Sequence, residues 1–242
     1  NKEYQAMRES SLTAYYTDTS ISRSMFKELE ENGFKGGRIL DPAMGTGNFF
    51  SAMPKHLREN SELYGVELDT ITGSIAQLLH PHANIKIQGF ETIDFNSNSF
   101  DAVVGNVPFA NFTINDTHLK KPYLIHDYFF KKSLNIVRPG GLVSFITSTG
   151  TMDKRNPSFR KELHQEAGLI GALRLPNNAF KAIAGTDVAS DILTLQKGQE
   201  RSIGFWEDTH EVQNNDGEII EGVQANQIFS KESSLAVLGT LQ

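Results

Sequence analysis

The stretch Arg38–Phe50, RILDPAMGTGNFF, decides the fold class of this 242-residue chain. Its apolar start predicts a short buried strand, and two glycines, Gly45 and Gly47, follow before a helix begins. Glycine lets the backbone approach a ligand because no Cβ intervenes, so the loop predicts a cofactor site at a strand end. A dinucleotide-binding loop would carry a third glycine where Phe50 stands, and the sequence therefore disfavours a dehydrogenase.

A second predicted strand, Leu63–Asp69, contains a candidate ribose ligand, Glu67. This acid lies roughly twenty residues beyond the glycine loop, the usual distance for a carboxylate that binds ribose hydroxyls. An isolated glutamate at a strand end is often merely solvated, but strand, loop, helix and acidic strand occur here in the required order. The alternation of strands with helices indicates a doubly wound α/β sheet. Helices are predicted at Met53–Glu59, Thr70–His80, Asp127–Val137 and Asn156–Glu166.

The apolar run Phe100–Gly105 leads into a tetrapeptide, Asn106-Val107-Pro108-Phe109, that is suited to chemistry on an amino nitrogen. A conjugated amine is a poor nucleophile, and hydrogen-bond acceptors can hold it while its nitrogen becomes tetrahedral. The Asn106 side-chain oxygen and the Val107 carbonyl are two such acceptors, and Pro108 biases Val107 toward an extended conformation. Phe109 offers a flat face on which a base can stack. The alternative is an ordinary strand-to-loop turn, because Asn, Gly and Pro are common turn residues.

The two motifs together resemble D-P-x-x-G-x-G-x-F followed by N-P-P-[FY], the pattern of the N6-adenine DNA methyltransferases. The resemblance implies a Rossmann-like class I S-adenosylmethionine-dependent methyltransferase fold, an α/β three-layer sandwich with a mostly parallel sheet and a reversed hairpin near Gly168–Leu175 and Asp191–Lys197. It also implies methyl transfer from S-adenosylmethionine to the N6 amino group of an adenine that is flipped out of duplex DNA. Val107 stands where the family usually has its first proline. Because the family uses the carbonyl of that residue rather than its ring, we expect the substitution to be tolerated.

On the cofactor side, the segment Leu12–Asp18 resembles the family's Tyr-Thr-Pro segment, which closes over the methionine end of the cofactor. Asp18 replaces the proline, and the order of the motifs is that of the gamma group. Gln88–Glu91 occupies the place where the family contacts the cofactor's adenine, and the residue at the adenine edge stays open among Gln88, Glu91 and Asp94. The cofactor-binding residues that the resemblance implies are Tyr16, Thr17, Asp41, Ala43, Gly45, Gly47, Asn48, Phe49, Glu67, Leu68, Phe90 and Glu91.

A second aromatic wall for the target base is implied in the segment Leu173–Phe180, where Phe180 would pair with Phe109. With 16 phenylalanines in the chain, a core position is the alternative for any one of them. His126 and Asp127 stay outside the catalytic set, because amine methylation in the family needs no side-chain base and a helix start suits both residues. The catalytic residues that the resemblance implies are Asn106, Val107, Pro108 and Phe109.

Four longer stretches resemble a subgroup of large proteins from bacterial mobile elements, in which a methylase domain accompanies a helicase-like region. We therefore expect this chain to be one domain of a restriction-modification or mobile-element protein in the bacterial cytoplasm. Its expected partners are double-stranded DNA and the target-recognition and helicase-like regions of the same parent protein. Because the chain begins at Asn1 and ends without a long target-recognition region, DNA sequence readout is expected outside it. The four stretches are Phe100–Phe109, Ile125–Phe130, Thr147–Asp153 and Ser190–Leu193.

Three parts are predicted: an N-terminal helical segment with the cofactor-closing motif at 1–36, the catalytic domain at 37–199, and an acidic extension at 200–242. The extension holds eight acids and two bases, which accounts for the whole net charge of −6. Within it, Asn214–Gly217 predicts a hairpin turn. The nearest basic cluster is Lys154, Arg155, Arg160 and Lys161. Weak DNA-backbone contacts are predicted at Lys154 and Arg155, with a solvated helix face as the alternative.

The absence of cysteine excludes disulfides and thiolate metal sites, and no histidine spacing suits a metal, so no metal is predicted. No apolar run is long enough to span a bilayer, and no membrane association is predicted. Two alternatives to DNA methylation stay open: a protein-glutamine or RNA-amine methyltransferase, and a non-catalytic cofactor-binding module of a larger DNA-processing protein. A basic groove would favour nucleic acid over peptide, and cofactor binding without turnover would favour the module.

Overall fold

The computed structural model describes residues 17–175, 189–198, 202–204, 206–213 and 218–229. Its helices are α1 (Thr19–Glu31), α2 (Asn48–Ala52), α3 (Lys55–Glu59), α4 (Thr70–Leu79), α5 (Ile125–Ile136), α6 (Gly150–Asp153) and α7 (Ser158–His164). Its strands are β1 (Gly37–Asp41), β2 (Ser61–Glu67), β3 (Asn84–Ile87), β4 (Phe100–Asn106), β5 (Thr113–Ile114), β6 (Tyr123–Leu124), β7 (Val137–Ser148), β8 (Ala167–Leu175), β9 (Ser190–Lys197), β10 (Thr209–Gln213) and β11 (Ile219–Asn226). Short 3₁₀ turns occupy Phe90–Thr92 and Gln227–Phe229.

The central sheet has seven strands in the order β3-β2-β1-β4-β7-β9-β8. The strands β3, β2, β1, β4 and β7 run parallel, whereas β9 runs against both of its neighbours, β7 and β8. The predicted reversed hairpin is this β8–β9 pair. Because the chain passes from β3 at the edge to β4 beside β1, the strand order reverses between β1 and β4, and a crevice opens at their carboxyl ends.

The central strands are buried on both faces, as their apolar runs predict. Along β4, Ala102 and Val104 belong to one apolar cluster, and Val103 belongs to another on the opposite face. The same alternation separates Ile39 from Leu40 on β1, because successive side chains of a strand point to opposite faces. The first cluster includes residues of α1 and α2, and the second includes residues of α5 and α7. The result is an α/β sandwich of three layers, as predicted.

Helix ends follow local capping. The α4 helix lies within one residue of its predicted bounds and starts at Thr70, because Asp69 Oδ1 accepts hydrogen bonds from two backbone N–H groups of the first turn. The preceding strand therefore ends at Glu67 rather than at Asp69. The predicted α5 and α7 lie within two residues of the observed bounds. The helix predicted from Met53 starts instead at Lys55, where Pro54 precedes the first turn.

Asp18 has a clear structural role as the N-cap of α1. Its Oδ1 accepts a hydrogen bond from the Ser20 backbone N–H at 2.7 Å. An aspartate in this position satisfies a backbone donor that the helix itself leaves unpaired. The residue that departs from the family's Tyr-Thr-Pro pattern therefore begins the first described helix.

The C-terminal segment packs on the central sheet. Its strands β10 and β11 pair antiparallel, and the predicted turn at Asn214–Gly217 lies outside the described residues. Trp206, Ile228 and Phe229 belong to the same apolar cluster as the helices α5 and α7. Asn226 Nδ2 donates to the carbonyls of Met152 and Trp206 at 3.1 and 2.7 Å, which joins the segment to α6. The bounds predicted at 36/37 and 199/200 stay predictions.

A buried arginine connects this segment to the antiparallel edge of the sheet. Arg174 Nε and Nη2 donate to the two carboxylate oxygens of Asp191 at 2.8 and 3.0 Å. Nη2 also donates to Asp153 Oδ1 at 2.9 Å, and the guanidinium lies 4.2 Å from the ring centre of Phe229. A bidentate pair of this kind fixes geometry as well as neutralising charge.

We predict that Arg174→Leu lowers the free energy of unfolding by about 3–5 kcal/mol, because Asp191 would remain buried without its partner. Urea denaturation followed by circular dichroism measures the change. The matched control is Lys27→Met, which removes an exposed i,i+4 ion pair with Glu31 and should cost less than about 0.5 kcal/mol. A loss below about 1 kcal/mol for Arg174→Leu would contradict the assignment.

Candidate active site

The two motifs meet where β1 and β4 end side by side. The strands pair in parallel with Leu40 opposite Val103, so both carboxyl ends open into the same crevice. A Cβ atom on Gly105 would lie 2.7 Å from Asp41 Oδ1. The acid at the end of β1 therefore lies against the residue that immediately precedes Asn106. Glycine at position 105 makes the room for this contact.

Asp41 is a buried acid with one unsatisfied oxygen. Its Oδ1 accepts a hydrogen bond from the Ala43 backbone N–H at 3.2 Å, whereas Oδ2 accepts none from the described residues. Burial, with a smaller contribution from the nearby Glu67 carboxylate, raises the pKa of Asp41 to about 8. A buried acceptor without a hydrogen bond costs free energy of folding. A cationic or hydrogen-bond-donating ligand would offset that cost.

Glu67 at the end of β2 holds the glycine loop in place. One carboxylate oxygen accepts from the Gly45 N–H at 2.9 Å, and the other accepts from the Asp69 N–H at 2.8 Å. Gly45 and Gly47 both have positive φ values, 55° and 90°, which favour glycine at these positions. Burial raises the pKa of Glu67, and the two backbone donors oppose that rise. The loop conformation thus depends on the acid that was predicted as a ribose ligand.

A cleft of about 400 Å³, open to solvent, runs along the carboxyl ends of β1, β2 and β3. Five residues predicted to bind the cofactor line it, together with Pro108 of the tetrapeptide. Gln88, one of the three candidates for the adenine edge, also lines the cleft. Ile125 and Phe129 enter from the start of α5 and were not predicted, because nothing local in the sequence marks them. The lining residues are Pro42, Ala43, Val66, Glu67, Leu68, Gln88, Gly89, Phe90, Glu91, Pro108, Ile125 and Phe129.

The far wall of the cleft is the turn that follows β3. Of the three residues left open for the adenine edge, Gln88 and Glu91 line the cleft, whereas Asp94 is exposed and lies 3.7 Å from His118. Phe90 is almost fully buried and packs against Tyr128 and Phe129, with ring centres 5.9 and 5.4 Å apart. The turn is therefore fixed from behind by α5.

The tetrapeptide is anchored on both sides. The Val107 N–H donates to the Ile146 carbonyl of β7 at 3.1 Å, which continues the ladder of β4. Asn106 Nδ2 donates to Thr17 Oγ1 at 3.3 Å, and Thr17 is buried. Phe109 is partly buried and packs on both apolar clusters. The Asn106–Thr17 bond brings the predicted cofactor-closing segment to the tetrapeptide; Tyr16 and Phe180 lie outside the described residues.

Asn48 and Phe49 lie at the start of α2, directly after the glycine loop. Asn48 Oδ1 accepts from the Thr46 hydroxyl at 3.4 Å. The Phe49 ring packs in the apolar core, 6.5 Å from the ring centre of Phe26, and does not line the cleft. A contact between Phe49 and a ligand in the cleft would thus involve its backbone.

The basic cluster after β7 is divided by burial. Arg160 is buried and donates to the carbonyls of Glu207, Thr151 and Lys154, which is a structural role. Lys154 Nζ donates to Asp127 Oδ2 at 3.0 Å. Arg155 is exposed. Of the two predicted DNA-backbone contacts, Arg155 therefore presents its charge to solvent, whereas Lys154 is partly engaged within the chain.

His126 and Asp127 form part of the first turn of α5, consistent with their predicted place at a helix start. Burial and the nearby Lys154 ammonium lower the pKa of His126 to about 4, so the imidazole is neutral near pH 7. Neither residue lines the cleft, and a Cβ atom on Gly150, at the start of α6, would lie 3.9 Å from His126 Nε2.

Comparison with known proteins decides the family. The sequence model of the N-6 DNA Methylase family matches residues 2–232. This chain belongs to the N-6 DNA Methylase family. Membership confirms the family that the glycine loop and the tetrapeptide predict. DNA methylation is the activity for which this family is named.

The chain spans less than half the length of the two curated relatives that it matches. Defense against restriction protein B of Escherichia phage P1 is 31% identical over 194 residues, which cover 77% of this chain and 8% of that protein. The methylase subunit of the type I restriction enzyme EcoEI from Escherichia coli is 24% identical over 221 residues. That alignment covers 80% of this chain and 44% of the subunit.

A solved structure from Listeria monocytogenes, described as a class I S-adenosylmethionine-dependent methyltransferase, shares the fold. Its TM-score is 0.66 at 20% identity, and the match covers 78% of this chain and 63% of that one. This likeness, together with the strand order, confirms the predicted fold class.

Two further features concern ions and membranes. Among the described residues, no group of three or more His, Asp or Glu side chains could hold a metal ion. Within the same part of the chain, no helix is both long enough and apolar enough to cross a membrane.

We predict that Asp41→Asn stabilises the protein at alkaline pH in the absence of ligands. The raised pKa of Asp41 means that its charged form costs free energy in the folded state only. This cost is absent below pH 4 and grows until pH 8. The variant should exceed the wild type by about 1–3 kcal/mol at pH 8.5 and by almost nothing at pH 4.

Urea denaturation across this pH range tests the prediction. The exposed acid Asp94 supplies the control, because Asp94→Asn should leave the stability unchanged at every pH. A stability difference between Asp41→Asn and the wild type that does not vary with pH would refute the assignment of a buried, high-pKa carboxyl.

Proposed function

We propose that this chain transfers a methyl group from S-adenosylmethionine to the N6 amino group of adenine in DNA, with the target base flipped into the crevice. One observation carries the proposal: the buried acid Asp41 lies directly against Gly105, the neighbour of Asn106. A residue suited to a cationic cofactor and a residue suited to an amino group are thereby held side by side, as transfer between two bound molecules requires.

The residues present fit the cofactor. The unsatisfied Oδ2 of Asp41 suits the positively charged methionine end, and the apolar walls of the cleft suit a flat adenine ring. Glu67 would bind ribose hydroxyls: a carboxylate has about four acceptor positions, and the two backbone donors occupy two of them. Gln88 and Glu91 would contact the adenine edge. S-adenosylmethionine supplies an electrophilic methyl group on its sulfonium.

Asn106 and Val107 would hold the amino group of the target base. The bond from Asn106 Nδ2 to Thr17 defines the orientation of the amide, and Oδ1 faces away from Thr17. That oxygen and the Val107 carbonyl would accept hydrogen bonds from the amine, and they would stabilise the positive charge that develops on its nitrogen. No side-chain base is required before transfer, because the nitrogen carries its own lone pair. Phe109 would stack on the base, with Phe180 as its partner on the opposite face.

The substrate in this proposal is double-stranded DNA, and the chain acts within a larger bacterial protein in the cytoplasm. The greater length of both curated relatives supports this placement. Target-recognition and helicase-like regions of the parent protein would provide sequence readout and DNA handling. Arg155 would contribute a phosphate contact at the rim, which suits its exposure.

The decisive experiment compares the full-length parent protein with its Asn106→Ala variant. Methyl transfer from labelled S-adenosylmethionine to unmethylated bacterial DNA should fall at least about 100-fold, because the variant loses an acceptor for developing charge. The affinity for the cofactor should fall by no more than about tenfold, because Asn106 does not line the cleft and reaches the cofactor-closing segment through its bond to Thr17. Nucleoside analysis of the product should identify N6-methyladenine.

The control is Asn111→Ala, an exposed asparagine five residues further along the chain, which should retain wild-type activity. A wild-type parent that binds the cofactor but yields no methylated DNA would overturn the proposal. Methylated RNA or methylated glutamine in parallel reactions would then identify the other amine substrate.

Cofactor binding should also release a proton. Near pH 7 the Asp41 carboxyl is mostly protonated because its pKa is about 8, and a neighbouring positive charge would ionise it. Calorimetry in buffers with different ionisation enthalpies should show release of close to one proton at pH 7, and the affinity should rise with pH up to about 8. The Asp41→Asn variant should bind weakly with no such release. Binding of the wild type without proton release would contradict this role.

A further inference from the structure

A buried lysine outside the cleft joins two segments that are distant in sequence. Lys132 lies on α5 and is 4% exposed, an unusual place for an ammonium group. Its Nζ donates to the Phe90 carbonyl at 2.7 Å and to Asp116 Oδ2 at 2.7 Å. It also lies 4.9 Å from the centre of the Phe90 ring, within range of a cation–π contact.

The two partners of Lys132 belong to two different segments of the chain. Phe90 belongs to the 3₁₀ turn that forms the far wall of the cofactor cleft. Asp116 belongs to the loop between β5 and β6, a short antiparallel pair that begins four residues after Phe109. One ammonium group therefore connects the wall of the cleft to the hairpin that directly follows the tetrapeptide.

Asp116 is saturated with donors. Besides Lys132, the Tyr128 hydroxyl donates to Oδ2 at 2.8 Å, and the His118 backbone N–H donates to Oδ1 at 2.8 Å. Burial by itself would raise the pKa of this carboxyl, but the surrounding donors hold it below its usual range. The hairpin is thus fixed to α5 through a fully ionised, fully bonded acid.

We propose that Lys132 is a positioning residue that holds the adenine-side wall of the cofactor cleft and the β5–β6 hairpin in one fixed arrangement. Loss of its ammonium should weaken cofactor binding and slow methyl transfer together. The inference rests on the proposed function for these activities, but the structural link between the two segments can be measured without any ligand.

A stabilising role alone explains this arrangement poorly. A buried ion pair often contributes no more stability than apolar residues of similar volume. What apolar residues cannot provide is a donor for the Phe90 carbonyl and for Asp116 at the same time. The lysine therefore fixes the relative position of the two segments rather than adding net stability.

Three variants of the full-length parent protein separate a positioning role of Lys132 from a purely stabilising role. Lys132→Met removes the ammonium group and leaves Asp116 buried without its cation. In the double variant Asp116→Asn with Lys132→Met, no unpaired charge remains, but the Phe90 carbonyl still lacks its donor. The control is Lys27→Met, which removes the exposed ion pair with Glu31 on α1.

The readouts are urea denaturation, calorimetric affinity for S-adenosylhomocysteine, kcat and KM for methyl transfer, and amide hydrogen exchange of residues 89–92 and 113–118. Lys132→Met should be markedly destabilised, and the double variant should recover most of that loss. Both should bind S-adenosylhomocysteine about tenfold more weakly, with a lower kcat and faster exchange in both segments. Lys27→Met should match the wild type in every readout.

If the double variant recovered wild-type affinity for S-adenosylhomocysteine as well as wild-type stability, the proposal would be overturned. Lys132 would then have a structural role alone. Faster exchange in only one of the two segments would also overturn it. If the wild type bound no S-adenosylhomocysteine, the proposed function would fail instead. Concerted exchange of both segments in Lys132→Met would, in that case, still support the link.

Discussion

The parallel pairing of β1 with β4 is the constraint on which the site depends. Both strands are buried on both faces, so a slip of one residue would move every side chain to the wrong apolar cluster. The register is therefore fixed by the core, and the core in turn fixes Asp41 against Gly105. The geometry of the proposed site thus follows from packing that takes no part in the proposed chemistry.

The site also stores unfavourable free energy. Asp41 is buried with one oxygen unsatisfied, and Glu67 lies close enough to add repulsion. A folded protein tolerates such groups where the surrounding structure holds them and a ligand relieves them. The remainder of the crevice is well bonded: Glu67, Val107 and Thr17 each have partners at hydrogen-bond distance. The unsatisfied oxygen of Asp41 thus lies where the proposed cofactor would bring a positive charge.

Much of the architecture could be predicted from sequence, because strand-loop-helix patterns are local. The glycine loop, the alternation of strands with helices and the reversed β8–β9 pair all follow from motifs or from resemblance. The contacts that cross the sheet could not be predicted. Ile125 and Phe129 line the cleft from a helix nearly forty residues beyond the turn they face, and the buried status of Arg160 is invisible in a run of basic residues. Such features depend on tertiary packing, which leaves no periodic pattern in the sequence.

The acidic C-terminal segment is predicted from sequence as an extension of the catalytic domain. Its packing against the sheet has an evolutionary consequence. Trp206 and Phe229 complete an apolar cluster of the central sheet, and Asn226 donates to the carbonyl of Met152 in α6 and to that of Trp206. If parent proteins exchange catalytic domains by recombination, a cut directly after β9 would separate residues that fold together. Viable exchanges should therefore carry this segment with the sheet, and their crossover points should fall beyond Phe229.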